Sequence, residues 1–217
     1  LTNLDLSALQ SCEGLAIESN SALTSIDLSA LQSSQSLSIF YNSALTNLEL
    51  SALQVVEYNL SISNNSALTN LDLSPLQNVG NRLSINDNSA LTSIDLSALQ
   101  NVENNLSISN NSALTNIDLS ALQNVEYNLS ISSNSALTNI DLSALQSFYY
   151  LNIGSNALPT SEINEILSIL VGLSSSFWDS FNNNIILNGQ NPSAPPTGQG
   201  ITDLNTLQNM GVNIYTD

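Results

Sequence analysis

Short stretches in which apolar and polar residues alternate recur along this chain at a fixed distance. In the first unit Leu4-Asp5-Leu6 and Leu15-Ala16-Ile17 alternate with period two, the pattern of strands buried on one face only. Leu or Ile faces inward and Asp or Ser outward. The decapeptide LTNLDLSALQ at Leu1 returns as close variants at Leu23, Leu45, Leu68, Leu91, Leu114 and Leu137, so the chain is a repeat array. The spacing is 22 residues for the first two intervals and 23 afterwards. A single insertion accounts for the change, where Glu57-Tyr58-Asn59-Leu60 stands in place of Glu13-Gly14-Leu15. No stretch before the C-terminal region carries apolar residues at helical spacing.

The pattern predicts a mainly β fold: a right-handed β-helix, or leucine-rich-type solenoid, of about seven 22–23-residue coils over residues 1–157, closed by a small α/β cap over 158–217. Each coil contributes two short strands and a third inward position, the Leu of ALQ (Leu9, Leu31, Leu53, Leu76, Leu99, Leu122, Leu145). Stacked coils lie about 4.8 Å apart, so seven make a rod of roughly 34 Å, and every repeated residue becomes a column. Asn42, Asn65, Asn88, Asn111 and Asn134, with Asn20 and Asn156 at the ends, form a column at the corner after the second strand. There Asn tolerates a left-handed bend and bonds its counterparts above and below. In the cap, Thr160 or Ser161 is expected to start a helix carrying Ile163, Ile166, Leu167 and Leu170, with Glu162 in its first turn. A strand at Ile185-Ile186-Leu187, a second helix from Thr202 ended by Gly211, and a last strand Val212–Tyr215 follow, covering the open edge of the last coil.

Composition narrows the functions such a rod could have. Hydrophobic residues make up 42% of the chain, enough for a packed core, yet 18 acidic residues face one basic residue, Arg82, for a formal charge of −17. A surface with one cation cannot neutralise phosphates, which argues against nucleic acid and anionic lipid partners. No apolar run is long enough to span a membrane. The lone Cys12 rules out an intramolecular disulfide framework; it aligns with Val56, Val79, Val102 and Val125 and reads as a small core residue. Because the chain opens in mid-pattern at Leu1-Thr2-Asn3 without Met, an N-terminal part is expected to have been removed or to lie upstream.

No catalytic residue emerges. The chain has no His and no Lys, no Ser has a base beside it, and glycine-rich phosphate loops, CxxC pairs and HExxH helices are missing. Carboxylates remain. Asp5, Asp27, Glu49, Asp72, Asp95, Asp118 and Asp141 share one outward position, and equivalents in one environment cannot divide acid from base roles. Asp72, Asp95 and Asp118 are the candidate cation ladder, with Ca²⁺ the one metal in question and no organic cofactor expected. A second, interrupted acidic column is Glu13, Glu57, Glu103 and Glu126.

Ser61, Ser84, Ser107 and Ser130, preceded by Ser38, give the second strand a neutral face. With Tyr58 and Tyr127 at the inserted turn they form the candidate binding face. Regular Ser and Thr ladders could also order water, as an ice-binding surface would. A further aromatic group, Tyr149, Tyr150, Phe177, Trp178 and Phe181, reads as packing the cap onto coil seven. At the other end Leu1, Leu4, Leu6, Leu15 and Ile17 are a candidate assembly face, since a bare coil offers both strand edges and apolar side chains.

The unit LTSIDLSALQ…LSISNNSA resembles the receptor L domain type of leucine-rich solenoid, and more closely the bacterial secreted and surface proteins that carry such arrays. LPTSEINEIL and the tail NGQNPSAPPTGQGITDLNTLQNMGVNIYTD resemble the C-terminal cap of those proteins. The resemblance implies a secreted or cell-surface location and a non-enzymatic role in adhesion or protein recognition. Its partners would be a protein or glycan at the cell surface. End-to-end stacking of copies into a filament is the alternative, and ice binding a third.

Overall fold

The computed structural model describes residues 1–173 and 184–217. Coils stack in parallel as the repeat requires. The first strands of successive coils, β1 (Asn3–Asp5), β3 (Ser25–Asp27) and β5 (Asn47–Glu49), form one three-stranded ladder. β7 (Asn70–Asp72), β10 (Ser93–Asp95) and β13 (Asn116–Asp118) form another. The second strands build a single long sheet. It begins with β2 (Ser11–Glu18), β4 (Ser33–Phe40) and β6 (Val55–Ser63). It continues through the split strands β8 (Asn78–Val79) and β9 (Arg82–Asn86), β11 (Asn101–Val102) and β12 (Asn105–Ser109), and β14 (Asn124–Val125) and β15 (Asn128–Ser132), to β16 (Tyr150–Asn152).

The insertion sits where the period predicts. Between β4 and β6, Ser34 pairs with Val56 and Ser36 with Asn59, so one residue on the first strand faces two on the second. Later coils keep the extra residue, and their second strands split there.

Each coil closes on its own apolar side chains. In the fifth, Leu91, Ile94, Leu96, Leu99, Val102, Leu106 and Ile108 are all at most 1% exposed. Tight turns bend the coil between these positions: the Leu99 N–H donates to the Leu96 carbonyl at 2.9 Å and the Leu91 N–H to that of Asn88 at 3.0 Å. Burial of one such Leu stabilises by about 1.5–3 kcal/mol. Cys12 sits in the Val column as expected, half-buried, its Sγ 3.3 Å from the Ser34 hydroxyl.

The Asn column lies inside the fold. Asn42, Asn65, Asn88, Asn111 and Asn134 are fully buried. Each Oδ1 accepts from the backbone N–H of the Asn one coil earlier, as Asn111 does from Asn88 at 3.0 Å. Each Nδ2 donates to an Ile carbonyl of the preceding coil, Ile85 in the case of Asn111, at 2.9 Å. One amide thus bonds the N–H at the corner and the carbonyl of a strand residue in the coil before it. The left-handed bend belongs to the preceding residue, which corrects the expectation for Asn. Ser19, Tyr41, Asn64, Asp87, Asn110, Ser133 and Ser155 take φ of 57–60°. The Asn column is chosen for its amide, not for tolerance of positive φ.

The cap continues the solenoid. After β16 come α1 (Thr160–Val171), β17 (Asn184–Ile186), α2 (Gln199–Asn209) and β18 (Asn213–Tyr215). β17 pairs with β16, and β18 with β17, in the same parallel sheet, so Leu129, Leu151, Ile185 and Ile214 stand in one column. Here helices replace the first strand of the coil. Helix α1 starts after Pro159, with no side-chain cap, rather than on a Thr160 or Ser161 hydroxyl. Glu162 does different work: its buried carboxylate accepts from the Ile140 N–H at 2.9 Å and the Asn139 amide at 3.2 Å, occupying the place of the next strand. Gln190 extends the Asn column by one rung, donating to the Ile153 and Leu187 carbonyls and accepting from the Leu158 N–H. The Asp217 carboxylate closes the cap on the N–H groups of Gly189, Gln190 and Ala194. The cap therefore covers the first-strand half of coil seven but only prolongs the second-strand sheet, whose outer edge becomes β18. Of the expected aromatic cluster, Phe177, Trp178 and Phe181 lie outside the described residues.

Candidate binding surfaces

The Asp column is built into the turns. Asp72, Asp95 and Asp118 are in register on adjacent strands and line a shallow depression of about 280 Å³. Each directs Oδ1 at the backbone N–H two residues on, in Ser74, Ser97 and Ser120, at 2.9–3.0 Å, and Asp5, Asp27 and Asp141 do the same. This is the side-chain-to-backbone bond that starts a turn. Among the described residues no group of three or more acidic or Cys side chains is placed to hold one metal ion, and each Asp of the candidate cation ladder forms its own turn. Repulsion along the row remains. The melting temperature is expected to rise with NaCl and to rise equally with CaCl₂ at matched ionic strength; an excess with CaCl₂ would show bound cation.

Hydrogen bonds from Ser143, its hydroxyl first and then its backbone N–H, hold the Asp141 carboxyl below the usual carboxylate range, and Ser7 acts likewise on Asp5. A depressed folded-state pKa contributes stability above the unfolded-state value and loses it as pH falls through the folded one. Asp141→Asn should therefore lose less of its urea midpoint between neutral and acid pH than the parent does.

On the second-strand sheet Ser61, Ser84, Ser107 and Ser130 stand in register, as expected, and are half-buried. Beside them run Asn59, Arg82, Asn105 and Asn128 on one flank and Ser63, Asn86, Ser109 and Ser132 on the other. The face is neutral apart from Arg82, and several of its polar groups bond laterally: Asn86 Nδ2 to Ser84 Oγ at 2.6 Å, Ser107 Oγ to Asn86 Oδ1 at 3.2 Å, Asn128 Nδ2 to Asn105 Oδ1 at 2.8 Å. The Thr column is spent on the fold, since Thr24, Thr46, Thr92 and Thr115 donate their hydroxyls to the Thr carbonyl one coil back.

Sequence reasoning missed one concavity. A groove of about 490 Å³ runs across the coils at the corner between the ALQ turn and the second strand. Its lining includes Val55, the ladder Asn78, Asn101 and Asn124, and the carboxylate residues Glu57, Glu103 and Glu126. The Asn amides are joined head to tail, Asn101 Nδ2 to Asn78 Oδ1 at 2.9 Å and Asn124 Nδ2 to Asn101 Oδ1 at 2.8 Å. Gly80 interrupts the Glu column because a Cβ there would sit 2.0 Å from the Glu57 carbonyl oxygen. Tyr58 and Tyr127, next in sequence to Glu57 and Glu126, are 55% and 51% exposed. The Tyr127 ring stacks on Tyr149, with centroids 5.0 Å apart and planes at 12°. The one sequence signal for the groove was the interrupted Glu column beside the inserted turn.

At the first coil Leu1 is 79% exposed and Leu4, Leu6 and Leu15 are half-buried, whereas Ile17, expected on the same open face, is buried at 6%. The coil above already covers it. Asn20 is exposed, and its Nδ2 turns to the Glu18 carbonyl of its own strand in place of an Ile carbonyl from a preceding coil. No helix among the described residues is long and apolar enough to cross a membrane. Comparison with protein-family models, curated proteins and solved structures finds no match for this chain.

Proposed function

We propose that this β-solenoid is a non-enzymatic recognition or adhesion module, secreted or displayed at a cell surface, of the leucine-rich kind that its repeat and cap resemble. The observation that carries the reading is the corner groove: a concave strip on a rigid ladder, lined by the exposed carboxylate residues Glu57, Glu103 and Glu126, with the exposed Tyr58 and Tyr127 next in sequence to two of them. Catalysis has no support in the residues, since the regular carboxylates occupy equivalent turns and no His or Lys exists to move a proton. Probing arrays of extracellular proteins and glycans with the purified chain tests the proposal. Binding should be lost in Tyr58→Ala/Tyr127→Ala and kept in Ser84→Ala/Ser107→Ala. Binding that ignores the tyrosines, or no binding on either array, would refute it.

One observation favours end-to-end assembly as a second reading. Leu15 on the outer edge of β2 and Ile214 on the outer edge of β18 stand in the same inward column of one parallel sheet, so the edge of one copy matches the opposite edge of another in direction and side chain. Sedimentation velocity should then show oligomers growing with concentration, abolished by Leu15→Lys. A monomer at all concentrations removes this reading.

A further inference from the structure

An Asn followed two residues on by a Ser or Thr hydroxyl, with no Pro between, is the acceptor signal for N-linked glycans. Five such triplets occur here, at Asn59, Asn64, Asn105, Asn110 and Asn128, and all five acceptors are at least partly exposed. None is a buried ladder Asn. Three of the five carry a further mark, a Glu two residues before the acceptor: Glu57-Tyr58-Asn59-Leu60-Ser61, Glu103-Asn104-Asn105-Leu106-Ser107 and Glu126-Tyr127-Asn128-Leu129-Ser130. The extended form of the signal has an acidic residue at that place, where it gives a basic side chain of the transferring enzyme a charge to hold. Asn64 and Asn110 have Ile62 and Ile108 there instead.

The fold demands neither the Glu nor the Asn. Arg82 and Tyr150 take the acceptor's place in the same ladder column as Asn59, Asn105 and Asn128. Gly80 takes the place of the Glu, its N–H donating to the Val56 carbonyl as the Glu103 N–H does to that of Val79. Yet the two residues vary together. The coil with Gly80 has Arg82, and the seventh coil has Phe148 and Tyr150, so every acceptor in this column has its Glu. Only Glu13, in the shorter first coil, stands without an Asn.

Each signal begins in the exposed turn and ends on the sheet. Glu57, Glu103 and Glu126 are exposed, Asn105 and Asn128 are the first residues of β12 and β15, and Asn59 sits at the bulge between β4 and β6. The Asn128 amide donates to Asn105 Oδ1 at 2.8 Å, and a glycosylated amide keeps one N–H for such a bond. We infer that Asn59, Asn105 and Asn128 are glycosylation sites, each taking an oligosaccharide from a polyprenyl diphosphate carrier. Nδ2 bonds to C1 of the first sugar, the C1–O bond to the diphosphate breaks, the diphosphate leaves with the electron pair, and one amide proton passes to a base of the transferase. Asn105 and Asn128 are one rung, about 4.8 Å, apart, so a glycan on one hinders transfer to the other, whereas Asn59 is separated from both by the Arg82 rung. The inference rests on the secreted or surface-displayed reading above, because transfer takes place outside the cytoplasm.

Peptide mapping by mass spectrometry, on the chain taken from the cells that make it, tests the inference. A glycan mass is expected on Asn59 and on one or both of Asn105 and Asn128, with Asn64 and Asn110 bare. A chain found outside the cytoplasm with all three sites bare would overturn the inference and leave the secreted reading standing; a chain found inside would overturn both. Coexpression of the exported chain with an acid-requiring oligosaccharyltransferase and its lipid-linked oligosaccharide separates the parts of the signal. In Glu103→Gln/Glu126→Gln, occupancy at Asn105 and Asn128 should fall about tenfold or more and that at Asn59 should not change. Ser61→Ala should remove the glycan of Asn59 alone. Undiminished occupancy with Gln at both places, or equal transfer to Asn64 and Asn110, would show that the acidic residue plays no part and overturn the three-site assignment.

Discussion

Replacing Asn111 by Ala is expected to lower stability by roughly 2–5 kcal/mol, although the change removes a side chain of moderate size and no charge. The amide of Asn111 ties two backbone groups together at a buried corner, accepting from the Asn88 N–H at 3.0 Å and donating to the Ile85 carbonyl at 2.9 Å. Without it the Asn88 N–H stays buried with its partner gone, at about 1–3 kcal/mol, and the lost bond to the Ile85 carbonyl and the cavity left by the side chain add to that. The same substitution at Asn20 should cost well under 1 kcal/mol, because that residue is exposed and its Nδ2 donates to the Glu18 carbonyl of its own strand. Urea midpoints of the two variants, measured side by side, check the contrast; similar losses would show that the column stabilises through something other than burial of its hydrogen bonds.

A larger effect is expected from Leu96→Asp. Leu96 is fully buried in the ring formed by Leu91, Ile94, Leu99, Val102, Leu106 and Ile108. A carboxylate there has no cation and no donor aimed at it, so the chain must either bury a charge or open the coil, at a cost above about 4 kcal/mol. Coils touch only their neighbours, so a failed fifth coil also severs the stack below from the stack above. The expected result is insoluble protein or loss of the β circular dichroism band. A soluble variant with an unchanged spectrum would show that Leu96 does not face the core.

These two residues mark what the sequence makes legible. Leu96 and Asn111 both recur at fixed period, and repetition exposes any residue whose role is the same in every coil. Residues with a role but no fixed identity stay hidden. The left-handed position before each ladder Asn is filled by Ser19, Tyr41, Asn64, Asp87, Asn110, Ser133 and Ser155, because that site constrains the backbone and not the side chain. Residues that act once are equally opaque. Glu162 and Gln190 take over from a strand and from a ladder Asn, but only in the cap, where no second copy displays the substitution. The corner groove belongs to a third kind. It depends on how Gly80 and the bulged turns stack, a property of several coils together that no single repeat carries.

Coils four to six keep the same register over 23 residues, and this makes the length of the rod independent of its integrity. Excision of residues 91–113 would join Ala90 to Leu114, bring Val125 over Val79, and set Asn134 to receive the Asn88 N–H that Asn111 receives now. Every hydrogen bond and apolar contact of the interior would find an equivalent partner. What would change is the span of the corner groove, shorter by one rung of about 4.8 Å and missing Glu103. The molecule is thus a ruler graduated in whole coils, its interior indifferent to how many it contains.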